Sequence, residues 1–118
     1  MTREFIILPE FDKRWKKLGL TDDDLVVLEE FLCLNPHFGK IIKGTGGLRK
    51  LRWALPGKGK SGGIRIIYVD FIMYEKIYLI SAYKKNEKVS LTRDEKNEIK
   101  EMIKVLLTEL RRKRNEEK

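Results

Sequence analysis

The sequence predicts one α+β domain: a small antiparallel-type sheet with an N-terminal helix pair and a C-terminal helix packed on it. Three observations carry this. Apolar residues recur at helical spacing twice before residue 36 and once after residue 92; the segment between reads as strands; and no repeat, linker or low-complexity stretch divides the chain. With 118 residues there is room for one core only, and 42% hydrophobic content is enough to build it. Residues 1–118 are therefore expected to form a single domain, with 112–118 a charged tail that frays.

Residues 4–8 are short, apolar and partly β-branched, as a first strand requires. Pro9 opens a helix at its first position, where the missing N–H costs nothing. Phe11, Trp15 and Leu18 follow at i, i+4 and i+7 before Gly19 stops it. Thr21 with Asp22, Asp23 and Asp24 reads as the capped start of a second helix, its carboxylates over the positive end of the dipole. Such a cluster also suits a cation, but capping is the better account. Leu25, Leu28, Phe31 and Leu32 form the buried stripe, and Asn35-Pro36 ends the helix. Residues 48–55 alternate, with Leu51, Trp53 and Leu55 on one face and Lys50 and Arg52 on the other. Residues 64–70 and 77–83 are rich in Ile, Tyr and Val and make two further strands, joined by a short connection at 73–76. Thr92 and Glu95 form a capping box, and Ile99, Met102, Ile103, Leu106, Leu107 and Leu110 line one face of the last helix.

Lys+Arg number 26 against 18 Asp+Glu, a net charge of +8 that points to a polyanionic partner, nucleic acid first. Its distribution says more. Residues 1–39 carry −3, residues 40–88 carry +9 and residues 89–118 carry +2, with no Asp or Glu between Glu30 and Asp70. A solvated face mixes signs, as the last thirty residues do, so the middle segment is the informative one. The single Cys33 excludes an intrachain disulfide framework and a multi-thiolate zinc site, and the single His37 excludes paired-imidazole catalysis within one chain. Cys33 fits a buried apolar helix position and His37 a surface turn. Charges interrupt every apolar run, so neither signal peptide nor membrane span can be drawn, and a soluble cytoplasmic protein is expected.

The run ALPGKGKS at residues 54–61 matches a relaxed phosphate-loop pattern, but that motif needs a helix after its Lys-Ser, and Gly62, Gly63 and a strand follow instead. What remains is a basic glycine loop that brings Lys58 and Lys60 close to a ligand, or else an ordinary hairpin tip. Lys50 and Arg52 share a strand face, Arg65 lies just inside the next strand, and Lys84 and Lys85 end the last. If these strands are sequential antiparallel neighbours, the cations converge on one patch; otherwise they mark a solvated sheet face. Tyr83, beside Lys84 and Lys85, is the tyrosine best placed to stack a base.

Three runs, GTGGLRKLRW at 44–53, KGKSGGIRIIY at 58–68 and IYLISAYKK at 77–85, together with Leu91-Thr92 before a helix, resemble the RelE/HigB superfamily of bacterial toxins. The likeness covers roughly residues 3–110 and is most similar to the HigB-like branch with its Gly-Lys loop. It implies a ribosome-dependent endoribonuclease that cleaves mRNA and inhibits translation, without cofactor or metal. It also implies a cognate antitoxin, a small helix-turn-helix DNA-binding protein, through which the complex reaches operator DNA. Family catalytic positions fall on Lys50, Arg52, Arg65 and Lys84 or Lys85, and the basic loop on Lys58 and Lys60. Lys43 and Arg49, in and beside the first run, join the RNA- or ribosome-binding set. Some relatives place a Tyr or His near the C-terminus as base; nothing after Lys88 here is either, so Tyr83 or a lysine has to serve.

The residues suit that chemistry. RNA supplies its own nucleophile, the 2′-OH, so the protein needs to position a phosphate, stabilise charge on five-coordinate phosphorus and move two protons. Arg52 and Arg65 suit the stabilising role, and a lysine crowded by cations, Lys84 or Lys60, suits proton transfer. A two-metal route is disfavoured because the basic segment lacks carboxylates. The alternatives are a non-nuclease toxin of the same fold that inhibits gyrase and a basic nucleic-acid-binding module without turnover.

Overall fold

The computed structural model describes residues 2–54, 63–87 and 91–117. Along the chain run β1 (Glu4–Ile7), α1 (Pro9–Lys17), α2 (Asp22–Leu34), β2 (Lys40–Ile41), β3 (Arg49–Trp53), β4 (Ile64–Phe71), β5 (Lys76–Lys84) and α3 (Arg93–Glu116). β2 was not expected, since two residues carry no period to read, and neither was the 3-10 turn Ile72–Tyr74 between β4 and β5. Leu55 and most of the glycine loop, with Lys58 and Lys60, lie outside the described residues.

The strands are ordered β1-β5-β4-β3-β2. From β2 to β5 neighbours are antiparallel, but β1 runs parallel to β5, with Phe5 opposite Ile77 and Ile7 opposite Leu79. The antiparallel-type sheet expected from sequence is thus mixed at one edge. Strands joined without a crossover connection reverse direction, whereas β1 and β5 are separated by most of the chain and escape that constraint.

Local chemistry explains the helices. Trp15 stacks on Phe11 at 5.3 Å, and its indole N–H donates to the Thr21 carbonyl at 3.0 Å, tying α1 to the start of α2. Thr21 and Asp24 close a capping box at that start, so the three carboxylates serve the helix. The buried stripe of α2 centres on Leu28 and Leu32. Cys33 beside them is only half-buried, a departure from the expected buried position. A second capping box, Thr92 with Glu95, starts α3. This helix continues to Glu116, beyond the apolar stripe and through most of the segment expected to fray. Arg112 pairs with Glu109 and Glu116, and the Arg114 guanidinium lies 5.2 Å from the Tyr74 ring centroid, which pins the last turns to the β4–β5 connection.

Strand alternation sorts the sheet's side chains between two helical layers. Leu51, Ile66, Tyr68, Ile77 and Leu79 pack on Phe11, Trp15, Leu28 and Leu32 of α1 and α2. On the opposite face Leu48, Ile67, Val69, Phe71 and Tyr78 pack on Ile103 and Leu110 of α3. The link from α2 to β2 is held by buried polar contacts. The Tyr68 hydroxyl donates to the Pro36 carbonyl at 2.8 Å and accepts the Gly39 N–H at 3.0 Å. A Cβ at residue 39 would stand 2.8 Å from the Tyr68 ring, so glycine is required there. Asp70, 1% exposed, takes the Arg3 guanidinium at 2.8 Å and also meets the ring of the surface-turn His37 at 2.9 Å.

Candidate active site

The register of three central strands brings the basic residues together. Arg52 on β3 stands directly opposite Arg65 on β4, and Arg65 directly opposite Tyr83 on β5. All three therefore share the face that carries α3. One row toward the glycine loop lies Lys85, whose backbone N–H donates to the Gly63 carbonyl at 3.3 Å. One row the other way come Lys50, Ile67 and Ser81. Arg52, Arg65 and Lys85, with Trp53, Ala54 and Gly63, line a shallow depression of about 200 Å³.

Like charges directly opposite on a sheet repel. Among the described residues no carboxylate pairs with Arg52, Arg65 or Lys85. The depression is thus an uncompensated cationic cradle, with forked guanidinium donors that match the oxygens of a phosphate.

Beside it, between the sheet and the start of α3, lies a deeper cavity of about 450 Å³. Lys50, Ile67, Ile80, Ser81 and Tyr83 come from the sheet, Leu91, Lys96 and Ile99 from the entry and first turns of α3, and Arg14 and Glu87 complete the lining with Ile42 and Leu48. A register shift next to Ile67 and Tyr68 leaves Ile80 without a β4 partner, a bulge that bends β5 at the cavity. The 42–48 turn shapes the opposite wall. Buried Thr45 donates its hydroxyl to the Ile42 carbonyl at 2.6 Å and accepts the Leu48 N–H at 3.1 Å. Gly46 adopts φ +80° and lets Lys100 of α3 come within 3.4 Å of where a Cβ would stand.

Tyr83 joins the two depressions, opposite Arg65 and in the wall of the cavity. Burial pushes its phenol above the ordinary tyrosine value, and the Arg65 charge opposes that only in part. At neutral pH the group is a hydroxyl that donates, which argues against the expectation that it serves as a ready base.

Of the residues expected at the site, Arg52, Arg65 and Lys85 share one depression, and Lys50 and Tyr83 adjoin it. Lys84 does not join them: it pairs opposite Ile64, whose side chain belongs to the α1–α2 core, so the basic position after the last strand that shares the Arg65 face is Lys85. Arg49 is opposite Tyr68 on the α1–α2 side and donates to the Gly39 carbonyl at 2.8 Å and the His37 carbonyl at 3.2 Å, a structural role. Lys43 is exposed in the 42–48 turn. Arg14, Ser81, Glu87 and Lys96 were not anticipated. Lys96 left a trace in the sequence, three residues before Ile99 and thus on the apolar stripe of α3, where a cation is out of place.

Known proteins match this architecture. A structure of E. coli toxin RelE, a double arginine-to-alanine mutant in the free state, is similar with a TM-score of 0.56 at 20% identity, covering 73% of this chain and 86% of that chain. At that identity the likeness speaks for the fold alone. A family model described as the RelE toxin of the RelE/RelB toxin–antitoxin system matches residues 9–116, which span every element from α1 to α3. With so much of the chain matched, the resemblance read from residues 44–92 holds at the level of the family, and the protein belongs to the RelE toxin family.

Proposed function

We propose that this protein is the toxin of a type II toxin–antitoxin pair and a metal-independent endoribonuclease that cuts ribosome-bound mRNA in the cytoplasm. The observation that carries the reading is the Arg52–Arg65 pair, two like charges directly opposite with Lys85 beside them and, among the described residues, no carboxylate to neutralise them. Folding gains nothing from that arrangement; a bound phosphate does.

In the mechanism this supports, Arg52 and Arg65 hold the non-bridging oxygens of the scissile phosphate and take up the charge that grows on five-coordinate phosphorus. The 2′-OH attacks, the bond to the 5′ oxygen breaks, and a 2′,3′-cyclic phosphate is left. One proton leaves the 2′-OH and one reaches the departing 5′ oxygen. Lys50 and Lys85 lie on opposite sides of the arginine row, the placement that in-line displacement asks of a proton acceptor and a proton donor. Tyr83 donates a hydrogen bond to the phosphate from the third strand. The uncompensated charge attracts the ribosome's RNA as well as the message. The partner is a cognate antitoxin, a small helix-turn-helix protein that neutralises the toxin and carries it to operator DNA.

Primer extension on cellular mRNAs after brief expression tests this. Codon-phased cuts with the wild type, lost in Arg65→Ala at equal protein level, are expected. Growth arrest with intact mRNA and induced DNA-damage signalling would refute the nuclease and favour a gyrase inhibitor. Binding to RNA or DNA with neither effect would favour a module without turnover.

A further inference from the structure

We infer that the outward face of α2, continued by Phe38 and Ile41 to the free edge of the sheet, docks a basic segment of a ribosomal protein while the cationic cradle holds RNA. The inference rests on the reading of the chain as a toxin that works on the ribosome.

Only one side of α2 is buried. Asp23, Val26, Val27, Glu30 and Leu34 recur at helical spacing on the other side, and all are exposed. Leu34 is 83% exposed. Phe38 continues the line past the helix end, packs edge-on against Phe31 at 5.4 Å and is 65% exposed. Ile41, opposite Arg49 on the α1–α2 side of the sheet, is exposed on edge strand β2, which has no neighbour beyond it. Apolar surface gathered in this way marks a contact with another protein. Charge identifies that protein. Residues 22–34 hold five carboxylates and no Lys or Arg, in a chain of net charge +8. Among the described residues no cation pairs with Glu29 or Glu30, although burial pushes the Glu29 carboxyl above its ordinary value. The carboxylates repel the phosphates of RNA, and two copies pairing along α2 would set Glu30 against Glu30 at the two-fold axis. The component of a ribosome that complements the face is one of its basic proteins. A segment with apolar side chains about 12 Å apart, the reach from Val26 to Leu34, and a Lys or Arg between them to meet Glu30 fits it. α2 packs on the sheet face opposite the Arg52–Arg65 row, so both surfaces can be engaged at once.

Binding of the purified full chain to purified bacterial ribosomes tests the face. Val27→Ser with Leu34→Ser, which leaves the charge unchanged, is expected to weaken binding about tenfold and to leave cleavage at saturating ribosome unchanged, with thermal unfolding showing the variant folded. Glu30→Lys should weaken binding too, the opposite of what a face meeting RNA phosphates would give. A photo-crosslinking residue at position 34 should label a basic ribosomal protein. Unchanged affinity in both variants, tighter binding of Glu30→Lys, or a crosslink to ribosomal RNA overturns the inference. A dimer that the serine substitutions dissolve, or an antitoxin complex that they alone weaken, assigns the face to another occupant and overturns it as well. Codon-phased cutting with ribosome affinity unmoved by the variants sinks the docking face and leaves the nuclease standing. Variants that weaken ribosome binding of a protein that cuts no message support the face and sink the nuclease.

Discussion

Replacing Arg65 by methionine separates a functional arginine from a structural one. Methionine keeps an apolar stem on a half-buried position of the central strand and removes only the charge. Arg65 faces Arg52 directly, and cross-strand partners hold their Cβ atoms about 5 Å apart, so the two guanidinium charges are near neighbours. At the high dielectric of a solvated face their repulsion is about 0.5–1 kcal/mol before salt screening. Arg65→Met is therefore expected to leave stability unchanged or raise it by up to that amount, with the gain largest at low salt. Cleavage should fall by about a hundredfold to a thousandfold, the usual cost of removing one preorganised donor from a developing oxyanion. Urea unfolding at low and high salt reads the first effect, and mRNA cleavage in a translating extract reads the second. Destabilisation beyond about 1 kcal/mol that salt does not change would make Arg65 a structural residue and refute the reasoning. So would a stable variant that cuts at the wild-type rate.

Tyr68→Phe leaves the buried Gly39 N–H and Pro36 carbonyl without their partner and should cost about 1–3 kcal/mol in chemical unfolding. Asp70→Asn leaves the Arg3 guanidinium facing a neutral amide in a buried site and should cost about 3 kcal/mol, while Arg3→Met with Asp70→Leu should cost much less, as the double-mutant cycle will show. Burial raises the phenols of Tyr68, Tyr78 and Tyr83 in the folded chain. Their stabilising contribution is complete below the unfolded tyrosine value of about 10 and is lost as pH rises through the higher folded values, so stability measured against pH should fall on the alkaline side. Tyr83→Phe should lower the cleavage rate without changing its pH profile if the hydroxyl only donates; a variant whose profile loses one limb would return Tyr83 to the role of base or acid.

The helices were legible because each announces itself locally. Pro9, the Thr21–Asp24 and Thr92–Glu95 boxes and the apolar stripes of α2 and α3 are patterns within a few turns of chain. β2 escaped because two residues have no period, and the length of α3 because ion pairs and Tyr74 hold a stretch without apolar spacing. The basic residues were legible as a group, since an acid-free run of 39 residues stands out in any reading. Their sorting was not. Arg49 and Lys84 look like their neighbours in sequence, and only the register shows that both sit on the α1–α2 side of the sheet.

The sequence by itself determined the α+β class, the capping of α2 and α3, and a concentration of cations on β3 to β5. These follow from neighbours a few residues apart. Only the tertiary structure decided that β1 runs parallel to β5, that Arg52 meets Arg65, that Lys85 rather than Lys84 joins them, and that a cavity opens toward α3. Strand register and helix placement depend on residues tens of positions apart, and a shift of one residue would move every cation to the other face.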